Sequence, residues 1–173
     1  MTNLGFNTQR LIVRPITIED APFVLELMNT PKWIKFIGDR NVHSVEEAEG
    51  YIKEKALPQL KTHGHTNNVV IRKKDGTKMG TCGIYHREGT DEVDIGFAFL
   101  PPYEGKGYAY EASSELMKFA KNQLKLNTIQ AYTLEENTAS RKLLERLGLE
   151  LIGTGYLPNN NEELLMYRKT FEK

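Results

Sequence analysis

A short run in the second half of the chain combines residue types that can hold an anion. Residues 104–109 read Glu-Gly-Lys-Gly-Tyr-Ala and follow an apolar stretch. Gly105 and Gly107 lack a Cβ, so backbone N–H groups can approach an anion closely, and Lys106 adds a point charge. A helix that begins here would add unpaired N–H groups and a partial positive charge. The run predicts a phosphate site, and a loop that uses its glycines only to turn is the alternative.

Two widespread phosphate loops do not fit these residues. A Walker A loop needs Gly-Lys followed by Ser or Thr, whereas Lys106 is followed by Gly107. A dinucleotide fingerprint needs Gly or Ala at its sixth position, where this chain has Tyr110. The antiparallel strands expected before the loop also lack the βαβ context of that fingerprint. An anion held by this run would therefore need a different kind of loop from these two.

A second polar feature lies downstream at residues 136–140, which read Glu-Asn-Thr-Ala-Ser. Asn137 and Ser140 are three residues apart and share a face if both lie in the first turn of a helix. Asparagine is also a good N-cap residue. The spacing leaves a ligand role and a capping role for Asn137 equally open.

The elements that must position these segments follow from the apolar pattern. Asp75-Gly76 between two β-rich runs predicts a hairpin, because glycine tolerates the positive φ of a tight turn. Residues 93–100 (VDIGFAFL) predict a third strand of the same meander. Apolar residues at spacings of 3, 4, 3, 1 and 4 along residues 109–124 predict a long helix behind the loop.

Earlier elements complete the pattern. Residues 11–16 (LIVRPI) predict a strand that Pro15 ends or confines to a sheet edge. Ser44 with Glu47 resembles a capping box and predicts a helix that ends near Pro58. The mixture of helices and strands predicts an α+β fold rather than a regular alternating α/β sheet.

The composition excludes several classes of protein. The 173 residues fit one domain over residues 1–173, and 39% hydrophobic residues exclude intrinsic disorder. The 23 Lys and Arg balance the 23 Asp and Glu, which argues against nucleic acid as a partner. Cys82 alone cannot form a disulfide framework, and His63 with His65 lacks a third ligand, so we expect no metal. Without a membrane-length apolar stretch or a signal at residues 1–10, we expect a soluble cytoplasmic protein and no membrane partner.

Together, the two polar segments resemble the GNAT superfamily of acetyl-CoA-dependent N-acetyltransferases. The coenzyme loop of that family reads Gln or Arg, two residues, Gly, one residue, then Gly or Ala. Gly107 and Ala109 match this pattern, and Glu104 departs from its first position. The LIVRPI strand, the Gly-Lys-Gly-Tyr-Ala loop and Asn137-x-x-Ser140 resemble the branch that acetylates ribosomal-protein N-termini.

The resemblance implies a fold and a coenzyme site. The central sheet would be mixed, mostly antiparallel and flanked by helices, with a splay between the strand ending at Leu100 and the strand near residues 129–134. The pantetheine arm would pair with backbone in that splay, and the pyrophosphate would lie on the loop amides. Asn137 would bond the pantetheine, with Ser140 near the sulfur. The implied coenzyme residues are Phe99, Leu100, Glu104, Gly105, Lys106, Gly107, Tyr108, Ala109, Asn137 and Ser140.

The resemblance also implies catalytic roles. Acidic residues on the matching strand act as the base in some relatives, and strand alternation puts Asp94 on one face with Gly96 and Ala98. A solvated carboxylate at the strand end is the alternative for Asp94. Many relatives use a tyrosine as the acid where this chain has Leu144, so Ser140 is our candidate proton donor, with bound water as its competitor. Cys82 lies inside a predicted strand, which favours a core residue over an acetyl relay.

These observations predict acetyl transfer from acetyl-CoA to a primary amine by direct attack in a ternary complex. The branch resemblance favours a protein or peptide N-terminus as acceptor. A polyamine or antibiotic acceptor, a non-catalytic acyl-CoA sensor and a nucleotide-binding module are the alternatives. Acceptor specificity is expected in the first two helices, in the loop around residues 33–42 and in the turn at residues 159–161. Relatives of this size are often dimers, so a homodimer is also open.

Overall fold

Eight strands form one mixed sheet in the computed structural model, which describes residues 5–158 and 160–173. The sheet order is β1-β2-β3-β4-β5-β6-β8-β7. All neighbours pair antiparallel except β5 and β6, which are parallel. This arrangement confirms the predicted mixed, mostly antiparallel sheet. The strands are β1 (Phe6–Asn7), β2 (Leu11–Pro15), β3 (Asn67–Arg72), β4 (Lys78–His86), β5 (Val93–Phe99), β6 (Thr128–Thr133), β7 (Glu150–Gly155) and β8 (Leu164–Thr170).

The β3–β4 hairpin turns where Asp75-Gly76 predicted it. Gly76 has a φ of 71°, which favours a residue without a Cβ. The Arg72 guanidinium donates to both carboxylate oxygens of Asp75, at 3.0 and 2.6 Å. Pro15 is the last residue of β2, as its missing N–H led us to expect.

Six α-helices flank the sheet in the described residues. Thr17 and Asp20 form a capping box before α1, and Gly148, at a φ of 90°, follows the end of α6. None of the described helices is both long enough and apolar enough to cross a membrane. The helices are α1 (Ala21–Met28), α2 (Pro31–Phe36), α3 (Val45–Tyr51), α4 (Leu57–His63), α5 (Tyr108–Asn122) and α6 (Thr138–Arg146).

The helix expected to end near Pro58 continues to His63, which corrects the prediction. A π-helical turn, Ile52–Ala56, joins α3 to α4 directly before this proline. Pro58 has no N–H for the carbonyl one turn earlier, and the widened turn accommodates the missing bond. The helix ends at Gly64, which is left-handed at a φ of 73°.

Helix α2 is also absent from the sequence prediction, which placed a loop around residues 33–42. The side chain of Thr30 caps this helix by accepting from the N–H of Trp33 at 3.3 Å, and Pro31 occupies its first turn. The helix buries none of its six residues fully. A short helix with little buried surface lacks the regular spacing of apolar residues from which a helix is predicted.

Two apolar clusters cover opposite faces of the sheet. Helices α5 and α6 pack on one face, where Ala112, Leu116 and Leu144 join strand residues such as Val70. Helices α1 and α3 pack on the other face, against the neighbouring residue Val69. Because side chains alternate along a strand, Asp94, Gly96 and Ala98 face the second side, and Ile95 and Phe99 face α5.

Candidate active site

The sheet opens between β5 and β6. These two parallel strands are joined at one Cα pair, Asp94 with Gln130, and separate toward Phe99 and Thr133. A cavity of about 1350 Å³ lies in this opening and is lined by both strands. The separation confirms the predicted splay. It leaves an edge of β5 with backbone groups that an extended ligand can pair with.

The register on β5 bears on the expected backbone contacts at Phe99 and Leu100, which stay a prediction. The N–H of Leu100 donates to the carbonyl of Met79 at 2.8 Å, and its own carbonyl accepts from the N–H of Tyr103 at 3.0 Å. Both backbone groups of Leu100 therefore already have partners. Since backbone direction alternates along a strand, Phe97 and Phe99 point their N–H and C=O groups at the open edge.

The loop after β5 has the geometry of an anion cradle. Gly105 and Gly107 are left-handed, with φ values of 70° and 82°. Helix α5 begins at Tyr108, and no side chain caps its first N–H groups. These N–H groups have no partner inside the helix, and they point toward the end that lines the cavity. An anion placed there would be stabilised by the amides and by the helix dipole.

Arg10 and Glu111 brace this loop from outside. The Glu111 carboxylate accepts from the Thr8 hydroxyl at 2.6 Å and from the N–H and Nε of Arg10 at 2.8 and 2.7 Å. The Arg10 guanidinium also donates to the carbonyl of Lys106 at 3.1 Å and lies 4.3 Å from the ring centre of Tyr108. The first turn of α5 is thus fixed to the start of β2, about a hundred residues earlier in the chain.

Two charged residues of the loop differ in position. Glu104, which departs from the resembled pattern, pairs its carboxylate with the Lys32 ammonium from α2, and both residues line the cavity. The side chain of Lys106 is exposed and is absent from the residues that line this cavity. Lys106 therefore stays a prediction as a coenzyme ligand, and its carbonyl is the group with an observed partner.

Asn137 and Ser140 lie together at the start of α6 and line the same cavity. The side-chain oxygen of Asn137 accepts from the N–H of Ser140 at 3.3 Å, so Asn137 is the N-cap of the helix. Its amide nitrogen remains free to donate. Leu144, one turn further, is 1% exposed in the apolar core and has no proton to give.

Asp94 lies at the closed end of the splay and is 5% exposed. The Arg87 guanidinium donates to both of its carboxylate oxygens, at 2.9 and 3.0 Å. Burial raises the pKa of Asp94 above its usual value, and the Arg87 charge offsets only part of that rise. Asp94 is therefore a buried, paired carboxylate and not the solvated strand-end group that we kept as the alternative.

Tyr85 lies beside Asp94 on the same face of the sheet. Its ring lies over Gly96, where an added Cβ would be 2.9 Å away, and its hydroxyl is 2.9 Å from the Cβ position of Gly83. Gly83 and Gly96 are cross-strand partners, so two glycines together make room for one ring. The Tyr85 hydroxyl donates to Asn67 at 2.8 Å, which fixes this wall of the cavity.

Three histidines lie close together, and the one cysteine lies in the core. His63 stacks on His86 with ring centres 4.2 Å apart, and burial lowers the pKa of the nearby His65. Among the described residues, no group of three or more His, Cys, Asp or Glu could hold a metal ion. Cys82 is fully buried, and burial raises its pKa to about 12, so its thiol stays protonated in the core.

Sequence reasoning missed Lys32 and Arg87, and it gave Arg10 no role. Each of these acts through a partner that is distant in the chain or on another strand, and such a pair leaves no local pattern. The one signal in the sequence was Glu104 itself, because a carboxylate in an anion loop needs a nearby cation. Glu92, directly before β5, pairs with Arg168 at 2.7 Å.

Similar proteins share both the sequence and the fold. Residues 10–150 match the family model described as an acetyltransferase (GNAT) domain. An uncharacterised N-acetyltransferase of Bacillus licheniformis, p20, is 30% identical over 148 residues, which are 84% of this chain and 82% of that protein. An acetyltransferase from Agrobacterium tumefaciens str. C58 has a TM-score of 0.82 at 26% identity and covers 96% of this chain and 94% of its own. Ribosomal-protein-S5-alanine acetyltransferase from Vibrio fischeri has a TM-score of 0.78 at 20% identity and covers 96% of each chain.

Fold and site together define an acyltransferase whose acyl donor is acetyl-CoA. The chain belongs to the GNAT acetyltransferase family, and the matched residues include the loop, α5 and α6. The residues present fit the coenzyme, because the open edge of β5 can pair with its amide arm and the uncapped start of α5 can hold its pyrophosphate.

Proposed function

We propose that the protein acetylates the amino group at a protein or peptide N-terminus. The amine nitrogen attacks the thioester carbonyl directly in a ternary complex, the C–S bond breaks, and no acyl-enzyme forms. The observation that supports direct transfer is the shared cavity, which runs from the loop and α6 to Asp94 and so has room for both substrates.

Asp94 is the proposed proton acceptor. An alkyl amine is mostly protonated at neutral pH, so a base must take a proton from it before or during attack. The raised pKa of Asp94 moves its affinity for a proton toward neutral pH, which suits that role. Arg87 uses one lone pair on each oxygen, and the remaining lone pairs can accept from an ammonium group.

Ser140 is the proposed proton donor to the departing sulfur. It lines the cavity at the start of α6, where the capped helix holds it in place. We expect Ser140→Ala to lower kcat about tenfold while the Kd for CoA stays unchanged, because water replaces the hydroxyl poorly. Stopped-flow thiol release with equilibrium CoA binding measures both. Undiminished turnover would assign the proton to water.

The acceptor proposal is supported by Trp33, whose indole N–H is buried at the cavity without a hydrogen-bond partner among the described residues. A buried hydrogen-bond donor without a partner costs about 1–3 kcal/mol. A substrate oxygen that accepts from the indole N–H would remove that cost. A peptide carbonyl would accept from this N–H. A fully protonated polyamine has only donors and would not. The Vibrio fischeri enzyme of the same fold is named for an alanine of ribosomal protein S5.

A panel of amines tests this proposal with a thiol-release assay. The panel contains peptides with free N-termini, the same peptides with formylated N-termini, a polyamine and an aminoglycoside. We expect turnover with the free peptides alone and a loss of about tenfold in their kcat/KM for Trp33→Phe. Turnover with only the polyamine or the aminoglycoside would contradict a peptide N-terminus as the acceptor and would indicate a small-molecule amine instead.

A non-catalytic acyl-CoA sensor is a second candidate, and the buried Leu144 at the usual tyrosine position favours it. The same panel separates the two functions. CoA binding with no turnover on any amine would support the sensor. Stronger thermal protection by ATP than by CoA would instead point to a nucleotide-binding module.

A further inference from the structure

We propose that Lys32, held by Glu104, supplies the positive charge that meets the coenzyme's pyrophosphate. This inference rests on the coenzyme placement of the proposed function and adds a residue from α2 to it. Lys32 lies on α2, which is about seventy residues earlier in the chain than the loop at residues 104–109. It therefore gives the anion loop a cation that residues 104–109 do not provide inside the cavity.

The position of Glu104 needs such a partner. Its carboxylate is partly buried at the edge of a loop whose amides and helix dipole favour an anion. An unpaired carboxylate there would repel the pyrophosphate and weaken coenzyme binding. The ammonium of Lys32 neutralises Glu104, and an ammonium has three donors, so it can bond the carboxylate and a phosphate oxygen together.

Three lysines line the cavity, Lys32, Lys55 and Lys142, and among the described residues Lys32 is the one paired with a residue of the loop. Lys106 is in the loop, but its side chain is not among those that line the cavity. Lys35, one helical turn after Lys32, points to Glu136 at 3.9 Å on the opposite side of the cleft, and its side chain is 62% exposed. Lys32 lines the cavity together with Gly105 and Gly107, and its pair with Glu104 places it beside this loop.

The competing explanation is a mechanical one. The pairs Lys32 with Glu104 and Lys35 with Glu136 join α2 to both sides of the cleft, and they could do no more than hold this helix in place. Removal of either member of the first pair would then have the same effect. An electrostatic role predicts opposite effects instead, because Lys32 attracts the pyrophosphate and Glu104 repels it.

Calorimetric CoA binding at low salt tests the proposal with Lys32→Ala, Glu104→Gln, the double variant, and Lys35→Ala as matched control. We expect Lys32→Ala to raise the Kd for CoA about tenfold, and the difference to shrink at 1 M salt. Glu104→Gln should tighten CoA binding, because the carboxylate that repels the pyrophosphate is gone. The double variant should recover only part of the loss, because the repulsion is removed but no ammonium reaches the phosphates. Lys35→Ala should match the wild type.

Acetyl-pantetheine, which lacks the phosphates, is the second probe. Its KM should change less than twofold in Lys32→Ala, and thermal unfolding of each variant shows that the fold is kept. An unchanged Kd for CoA in Lys32→Ala, or equal losses for Lys32→Ala and Glu104→Gln, would overturn the inference alone. A wild-type protein that binds no CoA would overturn the coenzyme site itself.

Discussion

Asp20 and Asp94 are both buried and both face an arginine, yet their pKa values move in opposite directions. Burial alone would raise the pKa of Asp20, but the hydrogen bonds from Arg14, Lys78 and the N–H of Thr17 hold it well below its usual range. These donors lie 2.7 to 2.8 Å from its oxygens. Asp94 has Arg87 as its ion-pair partner, and there burial prevails and raises the pKa.

The difference separates a structural carboxylate, Asp20, from the carboxylate that we propose as the base, Asp94. Asp20 sits between the end of β2 and the start of α1 and is 0% exposed, so its fixed charge joins these elements to Lys78 on β4. Asp94 lines the cavity, and its raised pKa lets it take up a proton more readily than an ordinary carboxylate. In this pair the carboxylate with more donors has the lowered pKa, whereas the distance to the arginine is similar in both.

The largest effect is expected for Asp20→Asn. It should lower the free energy of unfolding at pH 7 by about 3 kcal/mol, because Arg14 and Lys78 lose a buried partner. The lowered pKa of Asp20 means that its stabilisation is complete above the unfolded value near 4 and is lost as the pH falls further. Urea unfolding at pH 7 and pH 3 measures the difference. Equal stabilities at pH 7 would show that the Asp20 network contributes nothing.

Asp94→Asn should instead affect catalysis. We expect kcat/KM to fall about 100-fold at pH 7 and the acidic limb of its pH profile to disappear, because the base is gone. The loss of folding stability should be smaller than for Asp20→Asn, since Arg87 reaches solvent with 32% of its side chain. Thiol-release kinetics from pH 5 to 9 checks this. An unchanged profile would remove Asp94 from the mechanism.

Arg87→Gln sharpens the comparison through the pH profile. Arg87 lowers the pKa of Asp94, so its loss should raise that pKa and move the acidic limb to higher pH. Arg87→Lys keeps the charge and should move the limb less. The same kinetic titration measures both variants, and a limb that moves to lower pH would contradict the electrostatic role.

Arg14→Gln is the matched change at the other aspartate and should have the smallest effect. Lys78 and the N–H of Thr17 still hold the Asp20 charge, so we expect a loss of about 1 kcal/mol in the free energy of unfolding. kcat/KM should stay within twofold of the wild type. A loss as large as that of Asp20→Asn would mean that one arginine carries the whole network.

Much of the fold could be predicted from the sequence, because turns, strands and helices depend on local residue patterns. The Asp75-Gly76 hairpin, the strand before Leu100 and the helix behind Gly107 all form where the pattern predicts them. The π-helical turn before Pro58 and the short helix α2 were not predicted. The π-helical turn results from the missing N–H of Pro58, and α2 buries little apolar surface. Neither feature changes the spacing of apolar residues from which helices are predicted.

The candidate site divides in the same way. The coenzyme half consists largely of the backbone of one continuous segment. Its glycines and the N-terminus of its helix can therefore be predicted from the sequence. The acceptor half is built from side chains of separate strands and helices, such as Arg87 against Asp94 and Tyr85 over Gly96. Those pairs exist only when the sheet has formed.

The sequence by itself determined the family, the glycine loop and the long helix behind it, because these depend on neighbouring residues. Only the tertiary structure decided that Asp94 is buried against Arg87, that Lys32 reaches Glu104 and that Leu100 has no free backbone group. Burial and charge pairing depend on distances through space, and a residue's neighbours along the chain do not fix those distances.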